Sequence, residues 1–258
     1  MTSWAALDHE LARWRDDGRT PRFWWRDDDA IRATNALDRM LTLNRRWRVP
    51  ISLAVIPGLA DPSLGGVLDG RSDVAILQHG FRHLNHAIGG DKKSELGAHR
   101  PLIEIISELE TGRALMESLF QGAALPVLVP PWNRIDDAIV AKLPGAGYGG
   151  ISRFRARTRP EAAPGLTQVN THVDIIDWPG GRGYRGDEAV LGQLCEHLAA
   201  RRQGAVDASE PTGLLTHHLE HDEASWTFIE TFLERTAASA VDMWKAACEI
   251  FFTRAGLQ

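Results

Sequence analysis

The chain has 258 residues, apolar and charged fractions ordinary for a globular protein, and a formal net charge of −5. That length is ample for a sizeable hydrophobic core, and the acidic balance gives no electrostatic case for nucleic acid or an anionic membrane as a partner. No run approaches the roughly 18 apolar residues of a membrane span, and acidic residues interrupt "MTSWAALDHELARWRDDG", so the start does not read as a signal peptide and the expected compartment is cytoplasmic.

Trp4, Leu7, Leu11 and Trp14 recur at helical spacing behind Thr2 or Ser3, which predicts an amphipathic helix over 3–17. Short β-prone runs then alternate with helical ones. The expected strands are 22–26 (RFWWR), 51–56, 74–78, 126–129, 149–152, 172–176 and 213–216. Helical patterns lie at 34–47, 101–120, 135–143, 187–202, 222–236 and 240–254. Cys195 and Cys248 fall in helical patterns and read as small buried hydrophobes, not as a bridge or a metal pair. Strand–helix alternation argues for a parallel α/β sheet with helices outside it. Seven strands fit a closed TIM-like barrel better than an open sheet. No linker or repeat divides the chain, so one domain over 1–258 is expected.

In such folds the reactive groups gather where strands end. After the first strand come Asp27, Asp28 and Asp29; after the third, "QHGFRHLNH"; after the fourth, "PPWNR"; after the sixth, Asp174-x-x-Asp177-Trp178; after the seventh, "THHLEHD". His79 and His83, four apart on one turn of backbone, would place two imidazoles on one side. A carboxylate would complete a three-ligand site with an open position, the arrangement a hydrolytic zinc needs. His86 and His99 read as hydrogen-bonding loop residues, and "KKSE" (92–95) as a solvated turn. His217 and His218 end an extended run, so only one of them faces a pocket, where it can act as a general acid. "GRGYRG" (181–186) spells a dinucleotide fingerprint, but it follows the sixth strand and lacks the distal acid. It reads better as a glycine-rich loop over the pocket, with Arg182 and Arg185 within reach of substrate. Trp24 and Trp25 read as core, whereas Trp132 and Trp178 are placed to form an aromatic wall.

The order of these motifs resembles the polysaccharide deacetylase family, carbohydrate esterase family four, over about residues 22–220. The resemblance implies a distorted (β/α)7 barrel and a divalent metal, Zn2+ foremost. It also implies hydrolysis of an N-acetyl or similar acyl group from a sugar or oligosaccharide. "RDDDA" fits a divergent Arg-x-Asp-Asp form, making Asp28 the base and Asp29 a metal ligand beside His79 and His83, with Asp27 in support; a register one residue earlier stays open. His217 matches the terminal L-x-H acid, and Trp178 the aromatic of D-x-x-D-W, which places Asp177 and Trp178 with Trp132 and Arg134 on the substrate side. The backbone N–H of Trp132 is the expected oxyanion donor. The family's Pro-rich motif begins with an Arg where this chain has Val129, so Arg134 or Arg26 must supply that charge. An amidase on a non-sugar substrate, a carbohydrate-binding barrel without turnover and an isomerase are the alternative readings.

Overall fold

The computed structural model describes residues 2–237 and 243–252. Five parallel strands follow one another round the sheet: β1 (Phe23–Ala30), β2 (Ile51–Val55), β3 (Val74–His79), β4 (Ala124–Val129) and β5 (Gly150–Ile151). A hairpin of β6 (Glu161–Ala163) and β7 (Leu166–Gln168) leads into β8 (Val173–Asp174), and β9 (Thr212–Thr216) lies between β8 and β1. The segment from β7 through β8 runs first beside β5 and then beside β9. Val169 N–H donates to Ile151 O (3.2 Å), Thr171 N–H to Arg153 O (3.0 Å) and His172 N–H to Gly213 O (2.8 Å). These bonds close the ring with seven members: β1 to β5, the β7–β8 segment, and β9.

The strands are apolar on both faces, as strands buried between a barrel interior and outer helices should be. Trp24, Ala54, Leu77, Val127, Val129 and Val169 pack inside with Ala247 and Phe251 from α8 (Ala247–Phe252), which plugs the end remote from the acids. Phe23, Trp25, Leu53 and Ile76 face the outer helices. Those helices are α1 (Trp4–Asp16), α2 (Asn35–Trp47), α3 (Pro62–Leu68), α4 (Leu102–Phe120), α5 (Asp137–Val140), α6 (Asp187–Gln203) and α7 (Glu223–Ala237). Thr34 caps α2 by accepting from Leu37 N–H, and Arg48 ends it in the left-handed conformation.

Several expectations need correction. The first strand extends through all three acids, so they belong to the strand instead of following it. The 135–143 pattern yields only the short α5. α3 went unread because Gly65 and Gly66 interrupt its apolar pattern. Of the 240–254 pattern, 240–242 and 253–254 lie outside the described residues, Trp244 pairs beside Phe23, and α8 supplies the helix. Cys195 is half-buried and Cys248 exposed, so neither behaves as a fully buried hydrophobe. No helix among the described residues is long and apolar enough to cross a membrane.

The seam between β8 and β9 generates two predictions. A Cβ at Gly213 would lie 2.7 Å from both Asn170 O and Thr171 Cα, backbone atoms that cannot swing aside. Gly213→Ala should therefore cost about 1–3 kcal/mol in a urea titration. The same glycine donates its N–H to His172 Nδ1 (2.9 Å), so His172 is held unprotonated there. His172 stacks on His197 with ring centroids 3.6 Å apart. Burial pushes His172 down against the neighbouring Glu210 carboxylate, and burial with neighbouring positive charge pushes His197 down to about 2. Both are depressed relative to the unfolded chain, so below about pH 6.5 the unfolded state binds more protons. With excess chelator present to remove any metal contribution, stability should fall as pH drops from about 7 to 5, and His197→Leu should flatten that dependence.

Candidate active site

Alternation along β1 sends Trp24, Arg26 and Asp28 into the barrel and Trp25 and Asp27 toward the outer layer. By that rule Asp29 would face outward with Asp27. A β-bulge intervenes: Asp27 pairs with Leu53 but Ala30 with Val55, and Asp29 adopts φ 68°. The extra residue turns Asp29 back to the barrel mouth, where it lines the same cavity as Asp28. Three consecutive acids thus take three environments.

Asp27 is fully buried against β9. Its Oδ2 accepts from Thr216 Oγ1 (2.6 Å) and His218 N–H (2.9 Å), and its Oδ1 meets His218 Nδ1 at 2.5 Å. Burial opposes its charge, but the His218 partnership outweighs burial and holds the carboxyl below the usual range. Asp28 is gripped by the buried Arg26, with Nε to Oδ1 and Nη2 to Oδ2 both 2.9 Å. The guanidinium is itself fixed by Ser152 Oγ (2.6 Å) and Asn133 Oδ1 (2.7 Å). Of the two arginines expected to supply a charge to the base, Arg26 is the one bonded to Asp28, while Arg134 donates to Lys93 O (2.8 Å) at the rim.

Asp29 meets the two histidines. His79 ends β3 and donates Nδ1–H to Val129 O (2.9 Å), which leaves Nε2 as a lone pair 3.1 Å from Asp29 Oδ1. His83 Nε2 lies 3.4 Å from the same oxygen. That oxygen is buried and has no hydrogen-bond donor. Three lone pairs on one point repel unless a proton or a cation sits among them. A proton on His79 is one relief: burial resists it, but the Asp28 and Asp29 carboxylates raise its affinity. Burial likewise opposes charge on Asp29, yet His79 holds it well below the usual carboxylate range. A divalent cation is the other relief. Asp29, His79 and His83 are the group among the described residues whose ligand atoms lie within 4.8 Å of one another, so the donor set fits zinc.

His83 arrives by a loop, contrary to the expected single turn. Gly80 (φ 55°) and His83 (φ 56°) are both left-handed, and a Cβ at Gly80 would collide with Glu95 and Pro131. The Glu95 carboxylate accepts from the N–H groups of Phe81 (3.0 Å), Arg82 (2.8 Å) and Leu84 (3.3 Å). Glu95 is 1% exposed, so the end of "KKSE" is no solvated turn but the anchor of the histidine loop. The His83 ring packs against Trp132 with centroids 4.3 Å apart. Trp132 and Asn133 are consecutive left-handed residues (φ 54° and 57°), backbone strain concentrated at the pocket wall.

Opposite them, His217 lines the cavity while His218 points to Asp27, as alternation requires. Trp178 meets the His217 ring edge-on at 4.6 Å and donates Nε1–H to Asp174 Oδ2 (2.8 Å). Asp174 lines the cavity, and burial pushes its carboxyl up despite the His217 charge. Asp177 does not line it; its carboxylate accepts from Gly180 N–H (3.2 Å) and shapes the turn. Arg182 reaches the rim, whereas Arg185 bonds Gln193 and stays away. His86 and His99 are not among the lining residues. The cavity holds about 600 Å³. A larger groove of about 790 Å³ between α3 and α4 is mainly apolar and carries no histidine, so convergent chemistry belongs to the smaller one.

Asn133, Ser152 and Glu95 were given no site role by the sequence, and Asp174 was named only as part of its motif. A polar residue ending an apolar strand, as Ser152 and Asp174 do, is the signal that points to two of them. Glu95→Ala would orphan three N–H donors and release His83. With the fold intact by far-UV circular dichroism, zinc affinity by chelator competition should fall about 10- to 100-fold; unchanged affinity would deny Glu95 its anchoring role.

No protein-family profile and no curated protein matches the sequence. Solved structures do. The peptidoglycan deacetylase PdaC of Bacillus subtilis superposes with a TM-score of 0.58 at 9% identity, covering 89% of either chain. A family 4 carbohydrate esterase from Streptomyces lividans, in complex with acetate, gives 0.54 at 14% identity over 84% of this chain and 88% of that one. A family 4 acetyl xylan esterase from Clostridium thermocellum, in complex with a cobalt ion, gives 0.53 at 12% identity over 89% and 90%. At these identities the likeness is one of fold. The chain has the distorted (β/α)7 barrel fold of the family 4 carbohydrate esterases and polysaccharide deacetylases, the family its motifs resemble.

Proposed function

We propose that the protein is a metal-dependent hydrolase that removes an N-acetyl or similar acyl group from a sugar or amino-sugar substrate, with the activity carried by one barrel domain over 1–258. The observation that carries this reading is the convergence on one cavity of a three-ligand cluster, a carboxylate held by a buried guanidinium, and a histidine on the opposite strand end. The structures it resembles include an acetyl xylan esterase in complex with a cobalt ion and a peptidoglycan deacetylase, which supports an acyl substrate.

Asp29, His79 and His83 would hold the cation, zinc by donor type. When bound, a divalent cation polarises the acyl carbonyl and lowers the pKa of water. Asp28 keeps free lone pairs on both oxygens beyond the two Arg26 bonds, so it can take a proton from water while the guanidinium keeps it oriented. The Trp132 wall and its backbone N–H face the acyl oxygen, where negative charge develops. His217 donates a proton to the departing nitrogen, so water adds across the C–N bond to give a carboxylic acid and an amine. The Trp178 edge contact holds its ring in place.

Asp28 and Asp29 should separate by substitution. Asp29→Asn and His79→Ala should lose stoichiometric zinc and all turnover. Asp28→Asn should keep zinc and lose acetate release from N-acetylated sugars, and His217→Gln should keep zinc and slow release about 10²- to 10⁴-fold. Zinc content by mass spectrometry and acetate release check these outcomes, and O-acetylated sugars run in parallel decide between amide and ester. A protein that binds sugar but neither metal nor turns substrate over would contradict the reading.

A further inference from the structure

Charge in the cavity is layered. The acids lie deeper: Asp28 is paired with Arg26, Asp29 faces the histidines, and Asp174, half-buried, accepts from Trp178. The cations lie at the mouth: Lys93, Arg134 and Arg182 all line the cavity. They come from three separate loops, in a chain whose overall charge is negative. Arg182 has a carboxylate partner, Glu220 at 2.8 Å, and packs over the Trp178 ring at 5.4 Å. The other two differ. Among the described residues no carboxylate lies within ion-pair distance of Lys93 or Arg134, and the guanidinium of Arg134 donates to the backbone oxygen of Lys93 itself. That bond ties the two loops together and brings both residues to one part of the cavity lining.

Lys93 and Arg134 are thus two cavity-lining cations without a carboxylate partner, and the Glu95 carboxylate, two residues beyond Lys93, is spent on backbone N–H groups. An anionic group at the cavity mouth takes charge-assisted hydrogen bonds from both. We infer that the substrate of the proposed hydrolase carries a phosphate or carboxylate on its sugar, bound by Lys93 and Arg134 at the cavity mouth while its acyl group lies at Asp29, His79 and His83. This rests on the hydrolase reading above and adds the substrate's charge class. Arg182, already neutralised, serves the apolar face of the ring through Trp178.

The test uses the zinc-loaded full chain and a matched set: N-acetylglucosamine, its 1-phosphate, its 6-phosphate and its 6-carboxylate analogue. The expected result is a kcat/KM for one of the anionic members about 10- to 100-fold above that of the neutral sugar, carried mainly by KM. Which member is preferred identifies phosphate or carboxylate. In Lys93→Gln/Arg134→Gln the ratio of anionic to neutral kcat/KM should fall to about one, and Lys93→Arg should restore part of it. Turnover of the neutral sugar as well as of every anionic member, or a preference that survives the double substitution, overturns this inference and leaves the hydrolase reading standing. No turnover of any member by zinc-loaded protein brings both down.

Discussion

Three successive carboxylates cannot be buried at one strand end unless each has its own compensation. Two like charges about 4 Å apart repel by about 4 kcal/mol even at an effective dielectric of ~20, and a buried unpaired carboxylate costs on the order of several kcal/mol more. The fold answers by sending the three side chains to three places. Asp27 goes outward to His218 and Thr216, Asp28 inward to Arg26, and Asp29, turned by the bulge, to the two imidazoles. Only the last lacks a hydrogen-bond donor for a buried oxygen, and that gap is where a cation fits. The proposed function sits at the one acid the protein leaves unsatisfied.

The surroundings are built to hold these choices. Ser152 and Asn133 fix the guanidinium that fixes Asp28, and Asn133 reaches it because the turn after β4 accepts two left-handed residues. Glu95 shapes the loop that presents His83, and Gly80 is the residue that lets that loop pass beside Glu95. Val129 contributes its carbonyl to His79 Nδ1 and so leaves Nε2 directed at Asp29.

Much of this was legible in the residues. The strand–helix alternation predicted the seven-membered ring, and the parity of extended backbone predicted that His217 and His218 would part company. Trp24 and Trp25 are core, as expected. What escaped was whatever depended on departures from regular backbone. The bulge at Asp28–Asp29 is invisible to a period-2 reading, the H-x3-H pair is joined by a left-handed loop and not by a helical turn, and a charged "KKSE" hides one buried member. The hairpin of β6 and β7 is marked by Pro164-Gly165, but its strands are too short for a periodic signal. Asp177 matched a motif, yet the structure gives the cavity to Asp174, three residues earlier, because only that one still lies on the strand.

The division of labour among Asp27, Asp28 and Asp29 is most directly tested by a crystal structure of zinc-soaked protein with anomalous data at the zinc edge. The account predicts a single peak about 2.0–2.2 Å from Asp29, His79 Nε2 and His83 Nε2, with Asp28 still paired to Arg26 and outside the coordination sphere. A peak ligated by Asp28 or Asp27, or zinc bound elsewhere with this cluster vacant, would contradict it.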